Sequence, residues 1–229
     1  MPTIYASGTL AKKLYINLQE PTGRFPAAGH FQADNLVVRC GKTHIMSKAS
    51  MVEWVKECVA DPNNPEIDVF LLDHWTGFLD HELFNSALPD GVEIEIINIP
   101  AGTTGIVQPL DLYFFCPVKA MIKRIHAYVI TQSIDFTIFK RDHILMVISQ
   151  VYWTICSPVF TEFLKYCWFR GGYLDTHPLP FETPNQFSLN PANCSIGCKT
   201  CGEDGLIKCA YCYEVICFDC FFVKLHRCA

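Results

Sequence analysis

Residues 67–73 read IDVFLLD, a nearly continuous apolar run that closes on a single carboxylate, Asp73. A segment this short and this rich in Ile, Val, Phe and Leu, preceded by Pro65, reads as a strand buried in the centre of a sheet. Residues 78–88 carry a helical pattern, Pro89-Asp90-Gly91 makes a turn, and residues 92–99 (VEIEIINI) read as a second strand. Strand, helix, strand predicts a parallel pair, because parallel strands need a long crossover and a hairpin cannot supply one.

Working outward, residues 3–18 read as two short strands around the turn Ala6-Ser7-Gly8, and residues 35–40 as a third, which predicts an antiparallel start. Ser47 caps a helix over 48–60, with Met51, Trp54, Val55 and Cys58 on one face, and Asp61-Pro62 stops it. After residue 99 comes a loop, PAGTTG, and Gln108-Pro109-Leu110-Asp111 opens a long helix to about residue 129; Pro109 suits a first turn, where its missing N–H costs nothing. Two more helices follow at 140–156 and 158–169. Residues 144–160 carry no charge, yet they include Ser149, Gln150, Ser157 and Pro158 and fall short of the roughly 20 apolar residues a bilayer needs. They read as a buried helix kinked near Pro158, with Glu162 and Lys165 beyond it at helical spacing, and no membrane partner is expected.

The chain has 229 residues, half of them hydrophobic and only 18% charged, which excludes a disordered, collagenous or coiled-coil protein. A net charge of −5 excludes a generally basic nucleic-acid binder but leaves room for a local basic face. Lys119, Lys123, Arg124, Lys140, Arg141, Lys165 and Arg170 concentrate positive charge in residues 111–170. They read either as phosphate-facing or as a solvated helix face.

Asp73, at the C-terminal end of a strand, has the address where open α/β sheets meet their ligands. Asp111 falls in a first helical turn, where the helix dipole favours the ionised form. If the two carboxylates converge, hard oxygen ligands suit Mg²⁺ or Mn²⁺ and the chemistry of phosphodiesters. Spacing alone favours a plainer reading of both as caps. His74 and His81 are secondary candidates.

Of 13 cysteines, eight crowd residues 194–228. The order is Cys194, Cys198, Cys201, Cys209, Cys212, Cys217, Cys220, His226, Cys228. Three successive CxxC pairs are metal knuckles, since two thiolates separated by two residues reach one tetrahedral Zn²⁺ through a tight turn. The N-terminal residues lack the basic flank and apolar run of a secretory signal, which argues for an intracellular, reducing setting and against disulfides. Eight ligands make two zinc sites. The interleaved pairing groups Cys198, Cys201, Cys217 and Cys220 on one ion and Cys209, Cys212, His226 and Cys228 on the other. Sequential pairing is the alternative, and Cys194 is either spare or a substitute for Cys228.

The run LLDHWTG at 71–77, and above all IPAGTTGIVQPLD at 99–111 followed by Phe114, Phe115 and Lys119, resembles the DDE superfamily endonuclease domain of pogo/Tigger-type transposases. The resemblance implies an α/β, ribonuclease-H-like mixed sheet flanked by helices over residues 1–170, with Asp73 and Asp111 as the second and third metal-binding carboxylates. The first would precede the turn at Gly8-Thr9-Leu10, where residues 1–6 carry no acid, and Glu20 and Asp34 stand elsewhere in the topology. A truncated or decayed element, impaired in catalysis and without the family's helix-turn-helix, is therefore expected. The cysteine spacing resembles the cross-braced C-terminal domain of piggyBac-type transposases and, more distantly, a RING finger. The resulting expectation is a nuclear, DNA-binding protein with residues 171–193 as linker and 194–229 as zinc module; the alternative is a RING-like adaptor that recruits a protein partner.

Overall fold

The turn at Ala6-Ser7-Gly8 folds β1 (Ile4–Tyr5) back on β2 (Thr9–Leu10) in antiparallel register, Ile4 opposite Leu10. Gly8 sits at φ +88°, and a Cβ there would lie 2.6 Å from the Thr161 carbonyl oxygen, so this corner admits only glycine. The structure, a computed structural model, describes residues 1–61 and 64–228; the Pro62 half of the expected helix stop lies outside them.

The antiparallel start ends with that hairpin. β3 (Leu14–Gln19) pairs with β4 (Leu36–Gly41) in parallel, Leu14 opposite Leu36. The intervening residues 20–35 are long enough to return the chain to the same end, and strand-like composition carries no information about direction. α1 (Lys48–Trp54) starts at Ser47, whose Oγ accepts the Ser50 N–H at 3.1 Å, and runs on into a wide π-helical turn, Val55–Val59.

β5 (Val69–Leu72), α2 (His81–Asn85) and β6 (Glu95–Asn98) form the expected parallel pair, with Leu72 opposite Asn98. The pair is not a sheet centre, however. Val69 is 51% and Ile97 45% exposed, because only one face is covered, by α1 and α2. An apolar run records the covered face and leaves the other face unspecified. On the covered side Trp54 meets Phe70, Phe78 and Phe84 with ring centroids 5.7, 5.8 and 6.4 Å away, and Tyr15 and Val37 bring the first parallel pair into the same core. The described strands form four two-stranded sheets and no single mixed sheet: the architecture is mixed α/β with small sheets.

After α3 (Thr104–Val107) a second π-helical turn, Leu110–Phe114, leads into α4 (Phe115–Thr131). α5 (Arg141–Ile155) and α6 (Thr161–Arg170) are joined through a 3-10 turn, Pro158–Phe160, and bend by 68° where a kink was expected. Among the described residues no single helix is long and apolar enough to cross a membrane. Residues 171–193 are more than a loose connection. Phe181 packs on Tyr113, Phe163 and Tyr166, the Leu179 N–H donates to Glu162 Oε2 at 2.8 Å, and α7 (Pro184–Ser188) begins with a reciprocal cap between Thr183 and Gln186. The tail then forms a hairpin, β7 (Ile207–Lys208) with β8 (Val215–Ile216), and a third π-helical turn, Asp219–Val223. Its Phe218, Phe221 and Phe222 are buried in one core with Met121, Leu145 and Phe163, so the cysteine-rich segment borrows from the helices the apolar core that its length alone could not supply.

Candidate metal centres

The β7–β8 hairpin decides how the cysteines meet. Cys209 and Cys212 flank its tip, where Tyr213 takes the left-handed conformation (φ 63°) and its N–H returns to the Cys209 carbonyl at 2.9 Å. Cys217 follows β8 directly, and Cys220 lies in the π-helical turn beyond it. Glycine is required beside the hairpin: a Cβ on Gly205 would fall 2.3 Å from Val215 Cγ1 and 2.4 Å from the Ile196 carbonyl oxygen.

Two clusters result. Cys198, Cys201, Cys217 and Cys220 form one, and Cys209, Cys212, His226 and Cys228 the other; within each, the ligand atoms all lie within 4.8 Å of one another. The pairing is the interleaved, cross-braced one, and Cys194 stays exposed outside both. Cys201 Sγ lies 3.6 Å from Cys217 Sγ, Cys209 Sγ 3.5 Å from Cys228 Sγ, and Cys212 Sγ 3.5 Å from His226 Nε2. A tetrahedral zinc with thiolates at about 2.3 Å has sulfur–sulfur edges of about 3.8 Å, so both clusters are near the size that one zinc ion spans. Four soft ligands leave no open position, which marks both sites as structural.

The electrostatics agree with metal binding. Burial opposes ionisation of Cys198, but N–H groups of Cys217, Cys201 and Thr200 outweigh it and bring its thiol down to about 6. Burial pushes Cys220 and Cys228 up to about 12, so zinc must displace their protons. Burial also holds His226 below the ordinary histidine value, which keeps its imidazole neutral and able to ligate.

Between the ligands His226 and Cys228 stands Arg227, which sequence reasoning passed over. Its guanidinium donates to Gln150 Oε1 at 3.0 Å, Asn35 Oδ1 at 3.1 Å and Ser149 Oγ at 2.6 Å. Gln150 in turn donates to the carbonyls of Phe221 and His226. The signal was present: a glutamine in the middle of an uncharged helix must find partners, because burying it unpaired costs roughly 1–3 kcal/mol.

Asp73 follows β5, where its Oδ1 accepts the Trp75 N–H at 3.3 Å, a cap of the plain kind. Asn98, at the end of β6, holds the neighbouring loop by donating to the carbonyls of Asp73 and Phe78, and His81 Nε2 meets its Oδ1 at 2.6 Å. Asp111 lies in the first turn of the Leu110–Phe114 segment. Burial raises its carboxyl above the ordinary range, the Asp73 charge adds to that shift, and Lys119 opposes it. The Asp73 charge at the end of β5 therefore reaches Asp111 in the Leu110–Phe114 turn. Among the described residues no third carboxylate, histidine or cysteine joins them in a metal-holding group. His74 is exposed. Of the basic residues, Arg141 and Lys165 are spent on Glu20 and Glu162 at 2.7 and 2.9 Å, while Lys123 and Arg124 of α4 form no ion pair among the described residues.

The cross-braced tail has a counterpart. Residues 168–229 match the family model of the Tc5 transposase C-terminal domain. The match begins in α6 and takes in the strap 171–193 as well as the cysteines, and it supports a transposase-derived protein. The family it names is Tc5, and the likeness to a piggyBac module that the spacing suggested gains no support from it. Neither the curated proteins nor the solved structures return a match for this chain.

Proposed function

We propose that this chain is a transposase-derived DNA-binding protein of the DDE endonuclease type, acting in the nucleus, with two zinc ions bracing its C-terminal segment and one Mg²⁺ or Mn²⁺ held by Asp73 and Asp111. The observation that carries the reading is the Tc5 match over residues 168–229, the segment whose ligands come together in two closed clusters. Further support comes from the Asp73 charge acting on Asp111, from Lys119 acting on the same carboxyl, and from Lys123 and Arg124 further along α4, which form no ion pair among the described residues and leave charge free for phosphates. On this reading the β5–α2–β6 unit is the part of a ribonuclease-H-like sheet that presents Asp73, and the turn after α3 brings Asp111. Two carboxylates hold one cation by its hard-oxygen preference, but in-line transfer by two ions needs more ligands than this pair supplies, so binding outlasts catalysis.

Titration of labelled duplex DNA into the zinc-loaded chain at several salt concentrations tests the reading. Binding should weaken steeply with salt, and Lys119→Ala with Lys123→Ala should lower the salt slope by about 1–2. Mn²⁺ should bind the parent chain and not the Asp73→Ala variant. Plasmid nicking in Mg²⁺ that vanishes in Asp73→Ala would extend the function to catalysis. Absence of DNA binding even at about 50 mM salt would overturn the proposal and leave a zinc-braced adaptor for a protein partner.

A further inference from the structure

Where the C-terminal segment meets α4 and α5, two adjoining cavities open that neither metal centre uses. The first, about 430 Å³, is lined by Tyr128, Met146 and Phe136, with His143 stacked on Phe136 at 4.1 Å, and by Phe218, whose ring meets that of Phe136 edge-on at 5.0 Å. Asp135, Glu203, Asp204 and Asp219 also line it, and no lysine or arginine does. Asp219 is paired with Lys224 at 2.7 Å, whereas Asp135, Glu203 and Asp204 form no ion pair among the described residues. The second cavity, about 520 Å³, shares Ile134, Asp135 and Phe136 with the first and continues along Ile130, Ile138 and Phe139. Its rim is apolar and open, with Ile130 66% and Phe139 83% exposed. Both volumes fall within the roughly 300–1,000 Å³ usual for ligand sites.

The two cavities make opposite chemical demands within one peptide's reach. Unpaired carboxylates around aromatic rings favour a cation with a flat or flexible stem, through charge-assisted hydrogen bonds and ring contact. Cys217, a ligand of the first cluster, also lines the acidic cavity, and four thiolates around one Zn²⁺ leave a net negative charge of the same sign. The neighbouring groove is mainly apolar, with Ser133, Thr137 and the shared Asp135 as its polar members. Nucleic acid is repelled by such a surface, so the site is separate from the phosphate-facing residues of α4.

We propose that this seam docks a partner peptide in which an arginine or lysine lies beside a large apolar side chain: the cation enters the acidic cavity alongside the Phe136–Phe218 ring pair, whose centroids are 5.0 Å apart, and the apolar residue covers Ile130 and Phe139. The proposal stands independently of the DNA-binding reading. The test uses the zinc-loaded full chain and a fluorescein-labelled octapeptide with a central Arg-Arg-Leu-Leu, followed by anisotropy. Saturable, salt-sensitive binding is expected. Asp135→Asn with Asp204→Asn should weaken it about tenfold or more, Phe139→Ser about fivefold, and a peptide with glutamate for arginine should not bind. All three substituted positions are exposed, and unchanged zinc content and melting temperature verify that the variants remain folded. No saturable binding, equal binding by the double variant, equal binding of the glutamate peptide, or displacement of the peptide by duplex DNA would each overturn the proposal.

Discussion

The two cysteine clusters of the tail and the Asp73–Asp111 pair of the body are built on opposite principles. In the tail, eight soft ligands stand on tight turns, each pair two residues apart or nearly so, and the clusters close completely. In the body, two hard carboxylates, Asp73 and Asp111, come from separate elements, are joined by no third ligand among the described residues, and are linked by the field of Asp73 at Asp111. The difference shows why the tail's chemistry can be read locally while the body's depends on how strand ends and helix starts are brought together.

Removal of zinc by a chelator is the most severe way to break the comparison. Because Phe218, Phe221 and Phe222 share a core with α4 and α5, loss of metal should melt tail and helices in one transition, with about 10 kcal/mol or more of apparent stability at stake. Near-ultraviolet circular dichroism during chelation checks it, and two separated transitions would show that the tail folds on its own. Next in size is Arg227→Ala. It removes three hydrogen bonds to Gln150, Asn35 and Ser149 and should cost about 3 kcal/mol in denaturant melts of the zinc-loaded chain, with zinc content retained.

Acid sharpens the same contrast. His226 is held below its ordinary value, so the stability it contributes is present above the ordinary histidine range and is lost as pH falls through the depressed value. Zinc release followed with a chromogenic chelator should accordingly begin as pH drops below that range. The Asp pair behaves in the reverse sense. Asp111 is raised, so its ionisation works against the metal-free fold as pH rises through its folded value. Asp111→Asn should leave metal-free stability unchanged or raise it by about 0.5 kcal/mol or less, since the group is exposed and screened, and should abolish the stabilisation given by Mg²⁺. Thermal melts with and without Mg²⁺ read both effects; a clear loss of metal-free stability would return Asp111 to a purely structural cap.

Legibility followed the distance over which each feature is decided. Ser47 as a cap, the bend near Pro158 and the parallel β5–β6 pair were readable, because capping, a missing N–H and crossover length all act within a few turns of chain. The parallel pairing of β3 with β4 was not, since Leu14–Gln19 would look the same in either direction. Burial of β5 was overread: VFLL is apolar enough for a sheet centre, but Val69 faces outward because nothing covers that side. The strap 171–193, with its prolines, looked like a tether, and only the aromatic bed of Tyr113, Phe163 and Tyr166 orders it.

By itself the amino-acid order determined which atoms can grip zinc, for a CxxC turn brings two sulfurs together whatever surrounds it. Tertiary packing alone decided that those knuckles are welded to α5 through Arg227 and Gln150, that an acidic cavity opens at the seam, and that the Asp73 charge reaches Asp111. Each of these joins residues far apart in the chain, and such contacts exist only once the apolar faces between them have found each other.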